Sequence, residues 1–159
     1  VNANVTTAQT LMQYVIAAGA LNMVGKTLRV TCYGNFDELN GPSVVFVLAL
    51  VNGSTSNNLI VWGPNTPNVT KTGLPWMIRA ELVTATAGVG GSMEAHGFFS
   101  SDPATTAGAV GTPNLDHSAA TVGIVDFTLA QTLTISIAFS VASVSNVGRQ
   151  RMMLVELLN

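Results

Sequence analysis

Three observations on this 159-residue chain predict an all-β sandwich. Residues 132–141 alternate strictly between small or polar and large apolar side chains, the period-two pattern of a strand with one buried and one open face. Clusters of Gly, Asn, Pro and Ser punctuate the chain between such runs and mark turns. No segment keeps an amphipathic helical period over several turns.

The elements follow in order. Residues 1–10 are polar and unpatterned and predict an extended N-terminal arm, with 11–159 as one domain. Residues 11–16 predict a short strand ended by Ala17-Ala18-Gly19. Residues 26–33 alternate, with Leu28, Val30 and Cys32 on one face and Thr27, Arg29, Thr31 and Tyr33 on the other. Gly34-Asn35 and Asn40-Gly41-Pro42 punctuate the loop expected next. Residues 44–51 are apolar on both faces, as a central strand is, and 59–62 return after a turn over 52–58. Residues 63–75 carry Pro64, Pro67 and Pro75 and predict an irregular connection. Residues 76–86 and 93–100 predict a hairpin around 88–91. The period-free, Ala/Thr/Gly-rich stretch 101–121 predicts a long surface loop, followed by a short strand within 122–127. About eight strands result. An antiparallel jelly roll is expected over an open sheet because it manages edge strands in a compact domain.

The last strand, 149–158, departs from alternation. Met152, Leu154 and Leu158 fall on one face, and Met153, Val155 and Leu157 on the other. A strand apolar on both faces needs cover on both, and one sandwich supplies only one side. Met153, Val155 and Leu157 are therefore the expected outer face and subunit interface.

Composition excludes several functions. Charged residues make up 9% of the chain, against about 25% in ordinary soluble domains. Apolar residues reach 48% and the mean hydropathy is +0.44, yet the longest apolar run, 44–51, falls far short of the ~20 residues of a spanning helix. No membrane association is expected. A net charge of −2 with six basic residues argues against nucleic-acid binding, which relies on clustered Lys and Arg. The lone Cys32 cannot form an internal disulfide and is expected to be a buried, inert thiol. The opening residues have neither the basic nor the apolar region of a signal peptide, so the sequons at Asn4, Asn52 and Asn68 are expected to be unmodified.

Little in the chain points to catalysis. The hairpin would gather Arg79, Glu81, Glu94 and His96 on one face. They could form an acid/base pair or a metal site, but cross-strand charge pairing is the favoured reading, because metal sites usually need three or four ligands. Asp116-His117-Ser118 are neighbours in sequence, whereas a triad assembles from distant segments. No nucleophile elbow, zinc motif or phosphate loop is present. No enzyme activity, cofactor or metal is expected. Tyr33, Trp62 and Trp76 could stack on sugars, but Trp62 and Trp76 flank the proline-rich connection and are expected to anchor it.

Two runs carry a resemblance. Residues 18–30 (AGALNMVGKTLRV) look like a segment common in small structural proteins of tailed phages. Residues 138–146 (AFSVASVSN), followed by the strand 152–158, are similar to the end of the same proteins. The resemblance implies a jelly-roll virion protein, either a capsid decoration (cement) protein or a domain of a tail or fibre protein, often trimeric. A short arm followed by one domain resembles the cement type more than a fibre fragment. The expected function is thus a non-enzymatic protein that binds as a homotrimer on the capsid outer surface and stabilises the shell. Its partners would be itself and the phage major capsid protein. Val1, Asn2, Asn4, Val5 and Thr6 of the arm would touch the capsid. The alternative is a receptor- or carbohydrate-binding domain using Trp62, Asn65, Asn68 and Trp76.

Overall fold

A computed structural model describes residues 2–3, 6–39, 42–65, 71–101 and 116–158, with backbone alone at 2, 3, 64, 65, 71 and 116–124. These residues form ten strands and no helix: β1 (Asn2–Ala3), β2 (Gln9–Ile16), β3 (Thr27–Glu38), β4 (Val44–Asn52), β5 (Thr55–Asn65), β6 (Lys71–Thr86), β7 (Gly91–Ser101), β8 (Asp116–Val125), β9 (Gln131–Phe139) and β10 (Val147–Leu158). They make two antiparallel sheets, of six strands in the order β1-β10-β3-β6-β7-β8 and four in the order β2-β9-β4-β5. Four of the pairings nest: β4 with β5 innermost, then β3 with β6, β2 with β9 and β1 with β10. The β7 and β8 strands extend the larger sheet beyond β6.

Alternation places the core. Leu28, Val30, Cys32 and Phe36 of β3, Leu74, Trp76, Ile78, Ala80 and Leu82 of β6, and Leu133, Ile135, Ile137 and Phe139 of β9 are buried in one cluster between the sheets. Phe46 sits at its centre, with ring centroids 5.0 Å from Trp76 and 4.9 Å from Phe99. Cys32 is fully buried and desolvation pushes its thiol up to about 12, so it stays protonated and unreactive. The β4–β5 turn has two residues. Asn52 pairs with Thr55, and Gly53 takes a φ of 58°, which such a tight hairpin requires.

Charge is segregated by sheet. Strands β2, β4, β5 and β9 contain no Asp, Glu, Lys, Arg or His, whereas β3, β6, β7, β8 and β10 hold every charged residue that lies in a strand. The low overall charge therefore reflects one whole sheet built from Thr, Ser, Asn, Gln and apolar residues.

The structure corrects several expectations. The chain does not enter a loop at Gly34-Asn35, because β3 runs on to Glu38. Gly34 is an inner-face position where a Cβ would stand 2.8 Å from the Trp76 indole, so here glycine marks a close approach within a sheet. The proline-rich connection is shorter than expected: β5 reaches Asn65 and β6 starts at Lys71, with Pro75 inside β6 opposite Asn35. Residues 116–121 belong to β8, which pairs with β7 along the sheet edge, while 102–115 lie outside the described residues. Cross-strand pairing supplies there what the Ala- and Thr-rich sequence lacks in strand signal.

The last strand is also rotated relative to expectation. Met153 opposes Cys32, Val155 opposes Val30 and Leu157 opposes Leu28. Directly opposed residues share a face, so these three lie on the inner side of the sheet. Met153 and Val155 are half-buried against the core, whereas Leu157 remains 50% exposed. The outer face of β10 instead carries Met152, Leu154 and Leu158. A bulge between Gln150 and Met152 shifts the phase by one residue, and apolar residues on both faces hide that shift from the sequence.

Candidate functional site

The outward face of the six-stranded sheet gathers most of the chain's chemistry. Pairing aligns Glu156, Arg29, Glu81, His96 and Ala119 in one row across β10, β3, β6, β7 and β8. The next row is Leu154, Thr31, Arg79, Phe98 and His117. Each acidic or basic residue stands opposite a different kind of neighbour, as favourable cross-strand pairs require. Arg29 donates from Nε at 3.1 Å and from Nη2 at 3.0 Å to the same Glu81 Oε1. Both side chains are about half exposed, so the ion pair orients them more than it stabilises the fold.

These rows surround an open depression of about 550 Å³. Arg29, Arg79, Glu81, His96, Phe98 and Glu156 line it. Of the four residues expected together, Arg79, Glu81 and His96 meet here, as the Glu81–His96 pairing requires. Glu94 stands opposite Val83, exposed and outside the depression. Sequence reasoning missed Arg29 and Glu156 as members. The outward phase of Arg29 on β3 could be read, but its meeting with Glu156 of β10 depends on pairing between segments more than a hundred residues apart. No group of three or more His, Cys, Asp and Glu side chains able to hold a metal gathers among the described residues. The arrangement presents charged and polar groups on an open face, and cross-strand charge pairing accounts for Arg29 and Glu81 but not for Arg79.

The remaining candidates disperse. Asp116, His117 and Ser118 are consecutive positions of β8, opposite Phe99, Phe98 and Gly97 of β7. Trp62 and Trp76 are buried to 0% and 2% exposure, so neither can stack on a sugar. They pin the sandwich from inside, and their indole Nε1 atoms have no hydrogen-bond partner among the described residues. Asn65 is described in backbone only, and Asn68 lies outside the described residues. Tyr33, on the outer face one row beyond Arg79, is 43% exposed. Of the arm, Asn2 pairs with Gly148 and Thr6 is exposed, while Val1, Asn4 and Val5 lie outside the described residues.

No protein family, curated protein or solved structure matches the chain.

A second polar cluster closes one end of the sandwich. Arg149 of β10 pairs with Asp37 of β3, and Asp37 Oδ1 accepts from the Gly73 amide at 2.7 Å. Asn146 is buried, accepts from the Leu39 amide at 2.7 Å and donates to the Val141 carbonyl at 2.8 Å. Beside them Glu38 is 1% exposed, and neither of its carboxylate oxygens has a hydrogen-bond partner among the described residues. Burial pushes its carboxyl up to about 7. Nothing in the sequence distinguishes Glu38 from a surface residue at a strand end.

Proposed function

We propose that this chain is a non-enzymatic, jelly-roll structural protein that self-associates as a homotrimer and reinforces a phage capsid from its outer surface. The nested pairings support the jelly roll, since a long antiparallel ladder folded over on itself pairs its strands in that order. The carrying observation is the open side of the sandwich. At the opposite side, β8 of one sheet lies against β5 of the other. Here β10 has β3 on one flank and, beyond Gly148, no described strand on the other. A long apolar edge strand is a template for association unless something covers it.

The cover we assign is another copy of the chain. It would contact Met153, Val155 and Leu157 from the inner face at the open edge, and Leu154 and Leu158 from the outer face. Leu154 and Leu157 are 46% and 50% exposed, and Tyr14 and Val15 on the adjacent edge strand β2 are 48% and 65% exposed. The trimeric stoichiometry, the capsid partner and the virion location follow from the resemblance of residues 18–30 and 138–146 to phage structural proteins.

Sedimentation of the purified protein is expected to give three times the chain mass, and Leu154→Lys with Leu157→Lys is expected to shift it to one. A monomer at every concentration overturns the reading. Removing residues 1–6, which leaves β2 intact, is expected to weaken co-sedimentation with capsid shells while the trimer persists. Unchanged shell binding excludes a role for the arm.

A further inference from the structure

We propose that the depression on the outward face of the six-stranded sheet binds a carboxylate-bearing sugar, of the uronic-acid kind, through Arg79. This function goes beyond self-association and needs no second copy of the chain. Arg79 is exposed in the depression and makes no hydrogen bond or ion pair among the described residues, unlike Arg29 and Arg149. Its planar guanidinium can take both oxygens of a carboxylate in two parallel hydrogen bonds.

The neighbours narrow the ligand class. Thr31 and Phe98 stand directly opposite Arg79 on the two adjoining strands, offering a hydroxyl on one side and an apolar ring on the other. Arg29 occupies only Oε1 of Glu81, so Oε2 keeps its capacity to accept from a ligand hydroxyl. Glu156 adds a second carboxylate beside Arg29. The site therefore alternates donors and acceptors around one unpaired cation and an aromatic wall. A sugar with several hydroxyls and a single carboxylate matches that alternation. An acidic peptide offers the carboxylate without the hydroxyls that Glu81 and Glu156 can accept from, and a neutral sugar leaves Arg79 without its counter-charge.

The test is an amide-resolved NMR titration of the full chain with sodium glucuronate, glucose and N-acetylaspartic acid amide. Glucuronate is expected to shift Thr31, Arg79 and Phe98 saturably, with a dissociation constant on the order of a millimolar. Glucose and the aspartate amide are each expected to bind at least about tenfold more weakly, the loss that follows when a charge-assisted contact or its companion hydroxyl contacts go unmade. Arg79→Gln is expected to remove the glucuronate response while the rest of the spectrum stays in place. If that variant perturbs the whole spectrum, Arg79→Lys carries the test, because it keeps the charge and loses the fork. Absence of saturation, equal response to glucose or to the aspartate amide, or wild-type binding by Arg79→Lys overturns the proposal.

Discussion

Replacing Glu38 with glutamine is expected to raise the melting temperature at pH 8 by roughly 6–12 °C and to leave it nearly unchanged at pH 4. Glu38 is buried at the end of β3 with no hydrogen-bond partner for either carboxylate oxygen among the described residues. Desolvation disfavours its charged form, so the folded chain keeps this proton up to about pH 7, against an ordinary value of 4.5. Between those two values the folded state binds a proton that the unfolded chain has released. Stability from this group is therefore full below pH 4.5, falls as pH rises, and levels off above about 7. That interval corresponds to about 3 kcal/mol.

Glutamine keeps the shape and removes the ionisation, so the gain should appear only where wild-type Glu38 is charged. The variant-minus-wild-type difference isolates this group from other titrations. Equal differences at pH 4 and pH 8 would show that the carboxyl is not held in its neutral form. The nearby Asp37–Arg149 pair is a separate contact between β3 and β10.

Much of the fold was legible because it rests on local alternation. Leu28, Val30 and Cys32 on β3, and Leu133, Ile135, Ile137 and Phe139 on β9, could be assigned to the inner face from period two alone. Trp76 was concealed by the irregular connection expected through Pro75. In the structure it shares the inner face with Leu74 and Ile78. What stayed hidden depended on distant partners. Met153, Val155 and Leu157 could not be told from Met152, Leu154 and Leu158, because the register against β3 and the bulge after Gln150 decide which set faces the core.

The site divides along the same line. Arg79, Glu81 and His96 come from one hairpin, and their proximity follows from a short-range register. Arg29 and Glu156 join them only through the β10–β3–β6 order, which alternation does not encode. Glu38 was invisible for a further reason. Its burial follows from its inner-face phase on β3, which runs past the loop expected from Gly34-Asn35 onward, and the adjacent acids Asp37-Glu38 read as the start of a solvated loop.

The Gly34→Ala variant is expected to lose about 3 kcal/mol of stability and roughly 6–12 °C in melting temperature. In a strand, exchanging glycine for alanine ordinarily stabilises by ~0.4–1 kcal/mol where the site has room, because the unfolded chain loses freedom. Gly34 has no room. A Cβ would stand 2.8 and 2.9 Å from two atoms of the Trp76 ring and would overlap the Arg149 carbonyl of β10. Neither neighbour can yield cheaply. Trp76 is 2% exposed and packed 5.0 Å from Phe46, while the β10 backbone at Arg149 is tied to β3 by the Asp37 pair. The sign of the effect therefore separates a close-approach glycine from a strand glycine with room for a side chain, and a variant within ~0.5 kcal/mol of wild type in urea unfolding would refute the close approach. Trp76→Phe removes the ring atoms in question but leaves the carbonyl. The double variant Gly34→Ala with Trp76→Phe should then recover part of the loss, with a coupling of about 1 kcal/mol between the two positions. Full additivity would mean that the β10 carbonyl alone forbids a side chain at Gly34.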